Sequence, residues 1–447
     1  MKFKLLSAVI LTAFSATAFS ETEQTFSDGL KIRLNEKSTG SDLRIYKNKP
    51  VLAIADPDKR KISHNYFDEF NVGKEGMYIG NNKGANTIIT EVVSHSPSLL
   101  RGNIDIVGKL GTLIIADPNG ITCNGCNFSN IADVTLANAG IEKLSSYSGL
   151  NLFKNSKGGI HITDADINTN TQGGNLKKLS LISDNISISR SKINVPEINV
   201  ELISHDGDNV SWNSLFGSAY LDGGKKFNSA RDANTVKSSL TVNKNTTLKA
   251  NKINLKLSES LFTNKGTLES EHLTIENTIR KDSFHHNSLA VPEMTMVNKG
   301  KINSKLLNIK TAPYQDSSNG VFTAKSTFTN DGIITGHINA DLNNSTFINN
   351  NVIKKNNVAG GSIKLKIRNS EFINNRYIRT SGITIEHTGN AKLTNNKTIY
   401  LSELIDYSGI NPLSGEFYSD NLKIKNKGKI YKYNSYKDSY SKLDIGN

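Results

Sequence analysis

Apolar and polar residues alternate in short runs along most of the chain, and apolar residues almost never recur at helical spacing. Examples are Gly159-Ile160-His161-Ile162-Thr163-Asp164-Ala165, Leu179-Ser180-Leu181-Ile182, Asn185-Ile186-Ser187-Ile188-Ser189 and Lys252-Ile253-Asn254-Leu255-Lys256-Leu257. A period of two places alternate side chains on one face, as in a half-buried strand. Asn, Gly, Asp and Ser stand between the runs and accept turn and left-handed conformations. The pattern predicts many short strands and excludes a helical bundle or coiled coil.

A longer repeat is superimposed from residue 260 onward. Phe262-Thr263-Asn264-Lys265-Gly266-Thr267-Leu268 is followed by Met296-Val297-Asn298-Lys299-Gly300-Lys301-Ile302 and Phe328-Thr329-Asn330-Asp331-Gly332. Related phrases surround Asn349, Asn374, Asn395 and Asn426, so the shared asparagine recurs after 34, 32, 19, 25, 21 and 31 residues. Intervals near twenty fit one rung of a parallel β-helix, and longer ones fit a rung with an inserted loop. A single rung is too thin to bury its inward residues, so stacked neighbours must complete the core. Asparagines stacked at one turn would share amide hydrogen bonds along the axis, and the residue tolerates a left-handed turn position. An antiparallel sandwich with Asn-Gly turns has the same local signals but no reason to repeat at rung-like intervals. The expected fold is all-β, a parallel β-helix.

Composition sharpens this. Of 447 residues, 36% are hydrophobic and 21% charged, 56 are Asn, and 17 Phe with 14 Tyr supply material for a core. So few charges argue against a charge-extended disordered chain. The formal net charge of +13 raises the question of nucleic acid, but the lysines are scattered as singles and pairs, as in Lys177-Lys178, Lys225-Lys226 and Lys354-Lys355. Lysines on outer strand faces solubilise them and discourage edge pairing; no nucleic-acid partner is expected. At the N-terminus Lys2 and Lys4 precede an uncharged stretch, Leu5 to Ser20, ending Ala18-Phe19-Ser20. A basic start, a short apolar run and small residues before the cut describe a secretory signal peptide over 1–20, and hence an exported protein.

The block from Ile32 to about Ala139 is organised differently. It contains His64-Asn65-Tyr66-Phe67-Asp68-Glu69-Phe70-Asn71-Val72, Gly76-Met77-Tyr78-Ile79-Gly80-Asn81-Asn82 and Ile89-Thr90-Glu91-Val92-Val93. Pro97-Ser98-Leu99-Leu100-Arg101-Gly102 and Ile104-Asp105-Ile106-Val107-Gly108 follow, then Leu113-Ile114-Ile115-Ala116-Asp117-Pro118-Asn119-Gly120-Ile121-Thr122-Cys123-Asn124-Gly125-Cys126. In this order the segments closely resemble the secretion domain of two-partner secretion exoproteins, the bacterial family of filamentous haemagglutinin, secreted haemolysins and contact-dependent growth inhibition proteins. The resemblance is dense over 45–140 and looser to about 250.

It implies a right-handed parallel β-helix, export unfolded through the periplasm, and passage through a dedicated outer-membrane β-barrel transporter. It also implies a secretion domain over 21–250, followed by an Asn-rich β-helix region over 251–447. The family's Asn-Pro-Asn-Gly-Ile phrase reads Asp117-Pro118-Asn119-Gly120-Ile121 here and is the expected transporter-recognition and secretion motif. A second family signature, Asn-Pro-Asn-Leu, belongs between Asn82 and Thr87. Only Lys83-Gly84-Ala85-Asn86 stands there, which implies a shortened loop.

Cys123 and Cys126 admit three readings: zinc, redox catalysis or a structural disulfide. Structural zinc needs four ligands, and no second Cys/His pair has matching spacing. Thioredoxin-type chemistry needs a helix N-terminus, where this segment reads as a turn between strands. A disulfide suits an oxidising compartment, and the pair's place beside the secretion motif in relatives implies a local staple. The His285-His286 pair reads as a solvated loop. Asp164 and Asp166 read as outward, solvated carboxylates with no basic residue clustered nearby, and Ser204-His205-Asp206 is mere sequence adjacency. Tyr431, Tyr433, Tyr436 and Tyr440 would cap the last rung or stack on sugars.

The expected protein is therefore a secreted, non-enzymatic, surface adhesin-like exoprotein without metal or other cofactor, meeting a host-cell glycan or protein receptor. The alternatives are a truncated cytolysin, a toxin-delivery relative, or a β-helix polysaccharide-degrading enzyme.

Overall fold

The computed structural model describes residues 22–145, 149–153, 158–169, 175–202, 209–213, 218–222, 238–257, 260–277, 294–311, 326–355, 361–402, 405–407, 422–434 and 439–443. The expected leader, Lys225-Lys226, Ser204-His205-Asp206, His285-His286 and Tyr436 lie outside the described residues. Every regular element described is a strand. The chain forms two compact units, Met1–Thr235 and Val236–Asn447.

In the first unit, Ile62–Phe70, Thr87–Val92, Thr112–Ala116, Asp133–Ala137, Lys178–Ser183 and Glu197–Leu202 pair in parallel, each with the next. A second parallel face stacks Ser98–Leu100, Ile121–Asn124, Ile160–Thr163 and Asn185–Ser189. A third stacks Lys49–Ala53, Met77–Asn81, Asn103–Gly108 and Asn127–Ser129. Register turns the alternating pattern into a core. Ile88, Leu113, Val134, Leu179 and Ile198 occupy one column and are all fully buried. Burying each such side chain is worth about 1.5–3 kcal/mol. Antiparallel pairs begin the unit, with Glu23–Thr25 against Lys31–Leu34 and Asp42–Tyr46 against Lys49–Ala53.

The second unit is more regular. One sheet stacks Ser238–Val242, Ser260–Asn264, Met294–Asn298, Ser326–Asn330, Thr346–Asn349, Glu371–Asn374, Ala391–Asn395 and Leu422–Asn426 in parallel. The other begins with Thr247–Leu257, Thr267–Asn277, Lys301–Thr311 and Ile333–Asn343. Its rungs then divide into shorter strands and end in Lys429–Asn434, against which Ser439–Lys442 lies antiparallel. Each unit is thus a parallel β-helix of stacked rungs, as the repeat predicts.

The recurring phrase has a physical explanation at the corner between the two sheets. Phe328, Phe347 and Phe372 stack inward, with ring centroids 4.5 and 5.1 Å apart. Beside them the shared asparagines form a continuous buried ladder. Asn264, Asn298, Asn330, Asn349, Asn374 and Asn395 each donate Nδ2 to Oδ1 of the next asparagine, ending at Asn426, over 2.8–2.9 Å. Asn264 Oδ1 also accepts from the Gly266 amide at 3.1 Å, closing the corner. Glycine is needed there because a Cβ on Gly332 would lie 2.1 Å from the Gly300 carbonyl oxygen one rung below.

One detail differs from expectation. None of the ladder asparagines has positive φ; the left-handed positions are other turn residues, including Asn130, Asn245, Asn344 and Asn369. The ladder residues end strands, and it is their side-chain amides that turn the corner.

Candidate functional site

The segment Asp117–Ile121 links the strands Thr112–Ala116 and Ile121–Asn124, which lie in different sheets, and turns the chain from one face to the other. Asp117 is fully buried. Its Oδ2 accepts from Ser98 Oγ at 2.6 Å, and its Oδ1 accepts from the Asn119 amide at 2.8 Å and from Asn119 Nδ2 at 3.0 Å. Its main chain is equally tied: the amide donates to Ala137 O, and the carbonyl accepts from Asn138 Nδ2, both at 2.9 Å.

Burial pushes the Asp117 carboxyl up to about 6, against the pull of its hydrogen bonds to Ser98 and Asn119. Asn119 also donates to Ser94 O at 2.9 Å. Gly120 has φ +118, and a Cβ there would stand 3.3 Å from the backbone of Gly158 and Gly159 on the next rung. Ile121 is fully buried and hydrogen-bonds Gly159 O, so Pro118 and Asn119 alone among the five are partly exposed. Both Asp117 oxygens are thus engaged by Ser98 and Asn119 within the corner.

Sequence reasoning missed the corner's supports. Ser98 stands 19 residues before Asp117, one rung back. The rung spacing itself was the signal that would have found it.

Beyond the corner, Cys123 and Cys126 are fully buried, and the structure joins their sulfurs across the turn containing Gly125. The Gly125 amide donates to Thr163 O at 2.9 Å, so this turn is pinned to the following rung. The position of the missing Asn-Pro-Asn-Leu phrase holds a tight link between Met77–Asn81 and Thr87–Val92. Asn81 seals it, accepting from the Ala85 amide at 2.8 Å and donating to Ala85 O at 2.9 Å.

Asp164 requires a correction. It sits at φ +53, and its two oxygens accept from Arg190 Nε and Nη2, both at 2.7 Å. Rung stacking supplies the basic neighbour that local sequence lacked, and Asp166 is no part of the pair. A partly buried contact that sequence did not reveal joins His64 Nε2 to Glu91 Oε2 at 2.7 Å, while Glu91 Oε1 accepts from the Ile141 amide at 2.7 Å. This fixes the start of the antiparallel set Gly140–Ser145, Gly149–Phe153, Asn209–Asn213 and Ser218–Asp222. Among the described residues, no group of three or more His, Cys, Asp or Glu side chains is placed to hold a metal ion.

Comparison with known proteins places these features in a family. The 16S rRNA endonuclease CdiA of Enterobacter cloacae is 33% identical over 35% of this chain and 5% of its own length. A hemolysin of Proteus mirabilis is 30% identical over 33% of this chain and 10% of its own. The chain thus spans a small fraction of these relatives. The crystal structure of the filamentous hemagglutinin secretion domain superposes with a TM-score of 0.44 at 17% identity, over 84% of this chain and 99% of that one. The profile of the TPS secretion domain family matches residues 34–304, well over half of the sequence, and the chain belongs to that family.

Proposed function

We propose that this chain is an exoprotein of a two-partner secretion system, exported through a dedicated outer-membrane β-barrel transporter to act outside the cell as an adhesin. The observation that carries the reading is the TPS secretion domain match over residues 34–304. The basic, apolar, small-residue leader over 1–20 supports entry to the periplasm. The side chains of Asp117–Ile121 are mostly buried in the folded corner. A transporter that reads this motif therefore meets it before the rungs close, and folding follows passage.

The adhesin role is supported by the second unit, whose parallel strands stack into a lateral face. On this reading the protein is non-enzymatic, and its receptor is a host-cell glycan or protein. The test is secretion with and without the transporter gene encoded beside it, followed by attachment of the purified protein to host cells. Equal release without the transporter overturns the export reading, and absence of attachment overturns the adhesin reading.

A second reading is favoured by the names of its relatives, an rRNA endonuclease and a hemolysin. In that case the chain is the leading part of a toxin-delivery or cytolytic protein. Lysis of red cells by the purified protein, or a continuing downstream reading frame, would establish it.

A further inference from the structure

In the second unit, several outward cations are paired with carboxylates on neighbouring rungs. Lys249 meets Glu269 at 2.7 Å, Lys364 meets Glu386 at 2.7 Å, Lys392 meets Glu371 at 2.8 Å and Arg368 meets Asp341 at 2.7 Å. A strip without such pairs flanks the buried column Ile302, Ile334, Ile353, Ile378, Ile399 and Ile430. On one side of it stand Lys301, Ile333, Val352 and Tyr377; on the other stand Thr335, Lys354, Arg379, Tyr400 and Tyr431. Between the rungs of Lys301 and Tyr431 neither column contains Asp or Glu. Lys301, Lys354 and Arg379 are exposed, with no carboxylate partner among the described residues.

The surface is shaped as well as charged. Ile333 and Thr335 are shorter than the side chains around them, leaving an open groove of about 350 Å³ walled by Lys301, Lys354 and Lys355. Lys355 is positioned by Ser402, to whose Oγ it donates at 3.1 Å. Farther along the axis, Tyr377 and Tyr400 lie 5.7 Å apart, and Tyr400 stacks on Tyr431 at 5.0 Å and 15°. Tyr377 is tilted by 47° to Tyr400, and Tyr440 meets Tyr400 in a T-shaped contact at 5.1 Å, so the Tyr400 ring is packed among other rings and its hydroxyl group is the part suited to a ligand.

We infer that this face binds an acidic polysaccharide laid along the helix axis. The proposal deepens the adhesin reading, from which it takes the expectation of an extracellular ligand. Charge complementarity names the occupant. Six adjacent strands at about 4.8 Å spacing give a strip of roughly 24 Å, long enough for several sugar units. Lysines act as point charges, and the planar Arg379 guanidinium pairs two donors with a carboxylate or sulfate group. Phenol hydroxyls suit sugar hydroxyls. Single-stranded nucleic acid fits less well, because it is held by stacking bases on open aromatic faces, and here the central ring, Tyr400, is packed against Tyr377, Tyr431 and Tyr440.

The experiment measures binding of the purified full chain to alginate, dextran sulfate, neutral dextran and a single-stranded oligonucleotide. The expected result is binding to at least one acidic polymer, with alginate reporting carboxylate and dextran sulfate reporting sulfate recognition. Neutral dextran is not bound, and the polymers are recovered at unchanged length. The Lys354→Ala/Arg379→Ala double variant should bind about tenfold more weakly, as expected for losing charge-assisted hydrogen bonds. Tyr400→Phe/Tyr431→Phe should weaken binding while leaving the fold unchanged by circular dichroism. Lys392→Ala, on the other sheet, should bind as the unaltered protein does. Failure to bind either acidic polymer, undiminished binding by the Lys354/Arg379 variant, or tighter binding of the oligonucleotide overturns the proposal. Variants that lose polymer binding yet attach fully to cells remove this surface and leave the adhesin reading intact. Polymer binding without cell attachment does the reverse.

Discussion

Asn298 donates its side-chain amide to Oδ1 of Asn330 at 2.8 Å, although 32 residues separate the two along the chain. The contact is buried and repeats at every rung from Asn264 to Asn426. Removing one member orphans a donor on one side and an acceptor on the other, each worth about 1–3 kcal/mol when buried. Asn330→Ala should destabilise the second unit by about 2–4 kcal/mol, read from denaturant unfolding followed by circular dichroism. Asn426→Ala, at the last ladder position and only partly buried, should cost clearly less. Equal effects at the two positions would show that the ladder is incidental.

Glycine at the neighbouring corner makes a separate prediction. Because a Cβ on Gly332 would stand 2.1 Å from Gly300 O, Gly332→Ala must push two rungs apart. Overpacking of this kind costs about 1–3 kcal/mol. An unchanged unfolding midpoint would mean that the corner yields freely.

Asp117 couples the secretion corner to pH. Its folded carboxyl titrates near 6 because burial disfavours the charge, against 3.8 for the ordinary group. The folded chain holds this proton between those values while the unfolded chain has released it. Stability from this group is therefore greatest at low pH and is lost as pH rises through about 6. The gap corresponds to about 3 kcal/mol. Asp117→Asn retains a carbonyl acceptor for the Asn119 amide and can donate to Ser98 Oγ, which also accepts. It should match the unaltered protein near pH 4 and exceed it by up to about 3 kcal/mol at pH 7. Parallel stability profiles at all pH values would remove this account. Asp105, also raised to about 6 by burial, titrates in the same window and remains in both proteins, so the difference isolates Asp117.

For the cysteines the expected state is oxidised. Intact mass and thiol labelling, with and without reductant, should find no free thiol in the untreated secreted protein. Two free thiols would exclude the staple. So small a loop restricts the unfolded chain little, and Cys123→Ser/Cys126→Ser should cost about 2 kcal/mol or less.

Export offers a different readout. Asn119→Ala removes the side-chain bonds to Ser94 and Asp117 and should lower the amount of protein reaching the medium through the transporter. Full export would show that Asn119 is not read by the transporter and is not needed for folding outside.

Much of the fold was legible in the sequence because a β-helix writes its core locally. Alternation gave the strands, and recurrence of Asn264, Asn298 and Asn330 gave the rungs. Contacts between rungs were legible only where the two partners resembled each other. Asp164 and Arg190 share no phrase and meet because their rungs are adjacent. Tyr377 and Tyr400 escaped notice because their alignment with Tyr431 depends on rung register. The supports of Asp117 were hidden for the same reason, since Ser98 and Asn138 belong to neighbouring rungs.

Where the phrase changes from Asn-Lys-Gly to Asn-Asn, a second row appears outside the first. Asn396 donates to Asn375, Asn375 to Asn350, and Asn350 to Asp331, at 2.7, 2.8 and 3.0 Å. The buried row donates toward the C-terminus, while this outer row donates toward the N-terminus. Two opposed one-way rows make each rung boundary a polarised joint. A duplicated rung inserted in the same orientation presents a donor wherever an acceptor waits. A rung facing the other way would set like against like. Such a body can lengthen or shorten by whole turns during evolution while its direction of growth stays locked.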